Sequence, residues 1–298
     1  MKELIEGTAE QCERISAYFN EKRAQLPQKF KNIPNLYTLD DYLIKNESFQ
    51  AWIDWARAKF AQMHPELTGI PGDRYFVGVD SREGDMGGFH GKIAGGFFFI
   101  ENRALAIMLN SRFIDNPLLR QLELLKSYIH DSIHYSTFRR ISAVPPAMDV
   151  PFPVYRQQYG INFKNPDGTA YSTVSATRRA PLSINLNLLM DGVTDLIASA
   201  MVKELSNSNS FALQPGLAQE VFHDITGATV NFDHYERARD FHQTVLTPTR
   251  RFLEFWDKDN TLVPLLLDGM LTGDLQRLQS FFNERTHVDN SWELIFKM

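Results

Sequence analysis

The hydrophobic pattern of this 298-residue chain predicts a predominantly helical α+β protein. Three observations lead there. Apolar residues recur at spacings of three and four over several long stretches, the mark of helices with one buried face. Short runs rich in Phe, Val and Ile, bounded by Gly, are confined to the first half of the chain and read as strands. Hydrophobic residues make up 43% and charged residues 22%, with 22 Phe, 10 Tyr and 4 Trp. That composition buries a sizeable core and excludes a disordered chain, a collagen-like repeat or a coiled-coil rod.

Taken in order, residues 1–70 read as helical. Leu4, Ile15 and Phe19 lie on a helical pattern, and a Pro-containing connector is expected over residues 26–35. Trp52, Ile53, Trp55, Ala56, Phe60 and Met63 then repeat at helical spacing until Pro65 and the glycines at 69 and 72 end the helix. Residues 74–80 (RYFVGVD) read as a strand, followed by a Gly-rich loop expected to lie over a cleft. Residues 96–100 (GFFFI) and 104–109 (ALAIML), separated by Glu101-Asn102-Arg103, read as a β-hairpin. Asn116-Pro117 opens a long helix, with Pro where a first turn accepts it and Leu118, Leu122, Leu125, Ile129 and Ile133 as its apolar stripe.

From 142 to 181 six prolines forbid a continuous helix and the segment reads as irregular, with a turn at Asn165-Pro166-Asp167-Gly168. So long a stretch in a compact domain is usually a functional loop. Helical spacing returns over 184–205, and the segments 217–224, 232–256, 262–270 and 274–285 read as further helices. The expected organisation is a helical amino-terminal segment (1–70), a sheet with an active-site helix (71–141), and a loop followed by a helical lobe (142–298), all one compact unit.

The charge balance, 31 basic against 36 acidic residues for a net −5, excludes several classes of function. A weakly acidic chain without a basic stripe is not built for nucleic acid, because phosphate contacts need clustered Lys and Arg. No apolar run approaches the roughly 20 residues of a membrane span. Acidic residues occupy the amino-terminal stretch where a signal peptide places its apolar core. The expectation is a cytoplasmic protein, or one exported by a signal-independent route. Cys12 is the only cysteine, so no intrachain disulfide can form. Two resemblances to ligand loops fail. Gly91-Lys92 ends like a P-loop, but Met86 and Ile93 stand where Gly and Ser or Thr are required. Asp257-Lys258-Asp259 begins like an EF-hand, but Leu262 takes the Gly position and Asp268 that of the bidentate Glu.

The informative segment is Tyr128-Ile129-His130-Asp131-Ser132-Ile133-His134-Tyr135. Residues four apart on a helix stand one above the other, so His130 and His134 aim two imidazoles at one spot. Asp131 lies about 100° further round, where a carboxylate can reach a water at the metal without being a ligand. A second segment, Leu189-Met190-Asp191-Gly192-Val193-Thr194-Asp195, puts two acids four apart on a helical face bordered by core residues. Such acids are costly unless paired or bound to metal.

Together these segments resemble the gluzincin metallopeptidases, zincins in which one helix carries H-E-x-x-H and a second carries a glutamate as third ligand in an N-E-G-x-T or E-x-x-x-D context. Here HDSIH stands for HExxH and MDGVTD for NEGxTE. The resemblance implies His130, His134 and Asp191 as ligands of one Zn2+, Asp131 as the general base that takes a proton from metal-bound water, and Asp195 as the acceptor that orients a ligand histidine. It implies a zincin-like lobe with a small sheet and an active-site helix, a helical carboxy-terminal lobe, and a peptide or protein substrate. Tyr235 and His242, within NFDHYERARDFHQ, are candidate catalytic donors to an oxyanion, beside His234 and Arg237. Arg178 and Arg179 are candidates for an acidic substrate group. Asp is one methylene shorter than Glu, roughly 1.5 Å of reach. That leaves open a metal seated deeper in the cleft, or a metal-binding chain that is slow or inactive. The alternatives are an HD-type metal phosphohydrolase, which needs an earlier His such as His90, and a degenerate zincin that binds a protein partner. The same ligand set also suits Fe(II), ordinarily on strands.

Overall fold

The computed structural model describes residues 2–30, 36–78, 90–93, 96–99, 117–143, 154–163, 186–208 and 245–295. In chain order the elements are β1 (Glu3–Glu6), α1 (Ala9–Phe30), β2 (Leu36–Thr38), α2 (Leu39–Ile44), α3 (Glu47–Met63), a 3-10 turn at Gly72–Arg74, β3 (Phe76–Gly78), β4 (His90–Ile93), β5 (Gly96–Phe99), α4 (Pro117–Ser136), β6 (Arg139–Ala143), β7 (Val154–Tyr159), β8 (Asn162–Phe163), α5 (Leu186–Asn207), α6 (Thr247–Trp256), α7 (Leu262–Thr272), α8 (Gln276–Thr286) and α9 (Ser291–Ile295). The fold is α+β and predominantly helical, and none of the helices among the described residues is long and apolar enough to cross a membrane.

Helices α4 and α5 form the centre. Leu122, Leu125, Ile129 and Ile133 on α4 and Leu189, Val193, Met201 and Val202 on α5 belong to one buried cluster. Trp52 and Phe60 of α3, Leu266 and Met270 of α7, and Phe282 of α8 complete it. Each fully buried side chain of this size contributes roughly 1.5–3 kcal/mol, so this helical core, more than the sheet, holds the two site helices in register.

The largest sheet runs β1-β6-β7-β8. β1 lies parallel to β6, with Glu3 opposite Arg139, and β6 is antiparallel to β7 with an irregularity between Arg140 and Ile141. β7 and β8 close a hairpin in which Tyr159 faces Asn162. Gly160, at φ 53, takes the first position of its two-residue loop. Only Gly adopts that backbone cheaply, and the spot is also crowded. A Cβ there would lie 2.8 Å from Met190 Cε and 2.9 Å from Thr137 Cγ2. The turn is therefore wedged between the segment leaving α4 and the residue before Asp191.

Several expectations are corrected. Residues 3–6 form a strand, not helix. The segment is too short for periodicity to decide, and pairing with β6 satisfies its backbone. The connector expected at 26–35 begins later, since α1 continues to Phe30. Pro27 falls in its last turn, where it forgoes a single helical hydrogen bond. β5 pairs with β4, drawn from the Gly-rich loop, through the register Ile93↔Gly96; residues 104–109 lie outside the described residues. The stretch read as irregular from 142 holds the end of β6, β7 and β8. Pro145, Pro146, Pro151 and Pro153 precede, and Pro166 follows, the proline-free window in which β7 and β8 form. Helices α3, α4, α5, α7 and α8 stand where periodicity places them. Residues 217–224 and 232–244 lie outside the described residues.

Candidate metal centre

Along α4, Lys126, His130 and His134 follow at four-residue intervals and so share a face. Asp191 and Asp195 do the same on α5. That helix begins at Leu186 and has no acid in its first turn, so neither aspartate is there to complement the helix dipole. The two faces meet in antiparallel sense. His134 Nε2 lies 3.0 Å from Asp191 Oδ1. One turn deeper, Asp195 Oδ1 lies 2.8 Å from Lys126 Nζ and 3.8 Å from His130 Nδ1.

His130, His134 and Asp191 each present one ligand atom, and the three lie within 4.8 Å of one another. The imidazoles are stacked obliquely, their centroids 4.8 Å apart at 57°. Ligands of a tetrahedral zinc stand about 3.4 Å apart, from bond lengths near 2.0–2.1 Å. The Asp191–His134 pair, at 3.0 Å, lies about 0.4 Å inside that separation, and roughly 1.4 Å of side-chain closure brings in the widest pair. The one-methylene deficit of Asp against Glu is thus no obstacle at position 191. Solvent reaches this cluster from one side, since the Asp191 side chain is 37% exposed against 9% for His134 and 6% for Asp195. His130 is 20% exposed as well, and a triad partly open to solvent fits a site that keeps a coordination position for something else.

The hydrogen bonds around His134 test the fit. Tyr159 Oη lies 3.2 Å from His134 Nδ1 and donates to the His134 carbonyl oxygen at 3.3 Å. A phenol has one proton, so a hydroxyl that donates to the carbonyl accepts from Nδ1–H. In that tautomer the Nε2 lone pair is turned to Asp191 Oδ1, 3.0 Å away, and a metal ion between them satisfies both; in the other, Nε2–H donates to Asp191 and the phenol donates to Nδ1. The donor set of two imidazoles and a carboxylate suits zinc, copper or iron(II) as well as any protein site does.

The other expected residues divide. Asp131 is buried on α4 at 4% exposure and is not one of the three ligand groups. Asp195 stands beside His130, but 3.8 Å is beyond a hydrogen bond, and its close partner is Lys126. Tyr235, His242, His234, Arg237, Arg178 and Arg179 lie outside the described residues. His90 lies on β4, of which only the backbone is described.

Three residues at the site escaped the sequence reading. Lys126 continues the 130/134 stripe back by one turn, a spacing that could have found it. Tyr159 comes from β7, in the stretch read as irregular. Arg139 is wholly buried, donates to the His134 carbonyl at 3.3 Å, lies 3.7 Å from Glu3 Oε1 and sits 5.7 Å over the Tyr159 ring. Tyr159 has no local signal, because it reaches His134 through strand pairing, whereas Arg139 stands only five positions on, where the chain turns back past the end of α4.

The chain matches no protein-family model, no curated protein and no solved structure.

Proposed function

We propose that the chain is a metal-dependent hydrolase of the zincin type, acting on peptide bonds. The observation that carries the reading is the meeting of His130, His134 and Asp191, from two helices 57 positions apart in sequence, with their ligand atoms within 4.8 Å. The order of elements supports it too. The β5 backbone runs alongside the helix that bears both histidines, as a zincin requires and an all-helical HD phosphohydrolase does not.

His130, His134 and Asp191 would hold one Zn2+, which when bound supplies a Lewis acid that polarises a carbonyl and makes water acidic. Asp131, one residue past His130, would serve as the base that accepts a proton from water and returns it to a leaving amine. Asp191, the exposed ligand, marks the side from which an extended peptide enters. Lys126 and Asp195 close the inner end as a neutral pair.

Elemental analysis of the purified chain is expected to give about one zinc per molecule, lost in His130→Ala and in His134→Ala. Asp131→Asn is expected to keep zinc and lose cleavage of a peptide library. A chain without zinc removes the reading. Zinc with no cleavage by the parent chain turns it into the partner-binding zincin, and Asp131→Asn cleaving at the parental rate removes Asp131 as base.

A further inference from the structure

Resting on the metal site just proposed, we infer that Tyr159 is its positioning residue: its hydroxyl fixes His134 with Nδ1 protonated, so that Nε2 is the coordinating atom. The resemblance assigned the orienting role to a carboxylate, Asp195. The geometry gives it to a phenol from the sheet.

Four observations converge. Tyr159 Oη contacts both His134 Nδ1 and the carbonyl of the same residue, at 3.2 and 3.3 Å, so one hydroxyl bridges the ring and the backbone that carries it. Nε2 is the atom that faces Asp191; with Nε2 on a metal the ring proton sits on Nδ1 and donates to Tyr159 Oη, whose own proton goes to the carbonyl. Asp195, in contrast, is engaged 2.8 Å from Lys126 Nζ and is 3.8 Å from His130. Finally, the tyrosine is itself constrained. Gly160 follows it in a turn that admits no Cβ, and the buried guanidinium of Arg139, tied to Glu3 of β1, lies over its ring and donates to the same His134 carbonyl. A histidine with its second nitrogen held in this way loses little orientational freedom when it coordinates.

Tyr159→Phe removes the hydroxyl and keeps the ring beneath Arg139. Zinc affinity, measured by competition with a chromogenic chelator, is expected to fall about 10–100-fold in this variant, the range for loss of such a partner. The visible spectrum of the cobalt-loaded variant is expected to shift, since it follows ligand orientation and not overall stability. Nitrogen-15 spectra of the zinc-loaded parent chain give a test that needs no variant: His134 should carry its proton on Nδ1 and bind through Nε2. Equal zinc affinity in parent and Tyr159→Phe, or coordination through Nδ1, overturns the inference while leaving the metal site standing. A parent chain that takes up no zinc overturns both.

Discussion

Gly160→Ala tests the wedge that joins the sheet to the two site helices. An L-residue at φ 53 costs about 1–2 kcal/mol from its Cβ alone. The new methyl also meets Met190 Cε at 2.8 Å, Thr137 Cγ2 at 2.9 Å and the backbone Cα of Met270 at 3.3 Å. The methionine end can swing aside, whereas the buried Thr137, whose hydroxyl donates to the Ile133 carbonyl at 3.0 Å, is held. Overpacking of this kind adds about 1–3 kcal/mol, and the stiffer unfolded chain returns about 0.4–1 kcal/mol. The net expectation is a loss of about 2–4 kcal/mol. Unfolding entropy near 2.1 cal/mol/K per residue comes to about 0.6 kcal/mol/K for the chain, so the melting temperature should fall by about 3–7 °C. Thr137→Ser removes the offending methyl but keeps the hydroxyl, and in the Gly160→Ala background it should recover about 1 kcal/mol, although by itself it costs roughly that much. Circular dichroism melts and urea titrations read all four proteins. A Gly160→Ala variant melting within 1 °C of the parent, or strictly additive effects of the two substitutions, refutes the packing argument.

Three further outcomes are expected. Lys126→Met strands the Asp195 carboxylate, 6% exposed, and should cost about 3–5 kcal/mol in urea unfolding, whereas adding Asp195→Leu should restore most of it; a single-variant loss under 1 kcal/mol contradicts a buried pair. Free zinc at about 100 times its dissociation constant should stabilise the chain by about 2.7 kcal/mol, a rise of about 4 °C that a chelator reverses and His134→Ala abolishes. Burial holds the Tyr128 phenol above its ordinary value of 10.0, against the opposing pull of Arg57. Its proton is thus bound more tightly in the folded chain, and the stability it contributes is complete below about pH 10 and is lost as the pH rises beyond that. Tyr128→Phe should flatten the alkaline limb of the stability profile, and limbs of equal slope would contradict the assignment.

Much of the fold was legible because helices announce themselves locally. The stripes 122/125/129/133 and 189/193/197 follow the 3.6-residue period whatever they pack against, and Pro117 marks the start of α4. The candidate ligand group was legible for the same reason, since 130 and 134 are one helical turn apart and Asp191 stands with Asp195 on one face of α5. The strands were less so. β1, at four residues, has too few positions to distinguish periods of two and 3.6. For β5 the Gly-rich loop gave no strand signal, so its pairing with β4 was not foreseen, and the expected partner at 104–109 lies outside the described residues.

The sequence alone determined which residues face one another within each helix, because that depends only on the rise and twist of a single chain segment. It therefore determined the two imidazoles, the candidate base beside them and the acidic face of α5. Tertiary structure decided how those faces are paired. The antiparallel meeting of α4 and α5 sets Asp191 against His134 and gives Asp195 to Lys126. The β6–β7 pairing brings Tyr159 and Arg139 to the back of His134. Apart from Arg139, five positions from His134, these contacts join residues tens of positions apart, and no local period encodes them. They follow from burying the apolar stripes of both helices at once while every polar group left inside finds a partner.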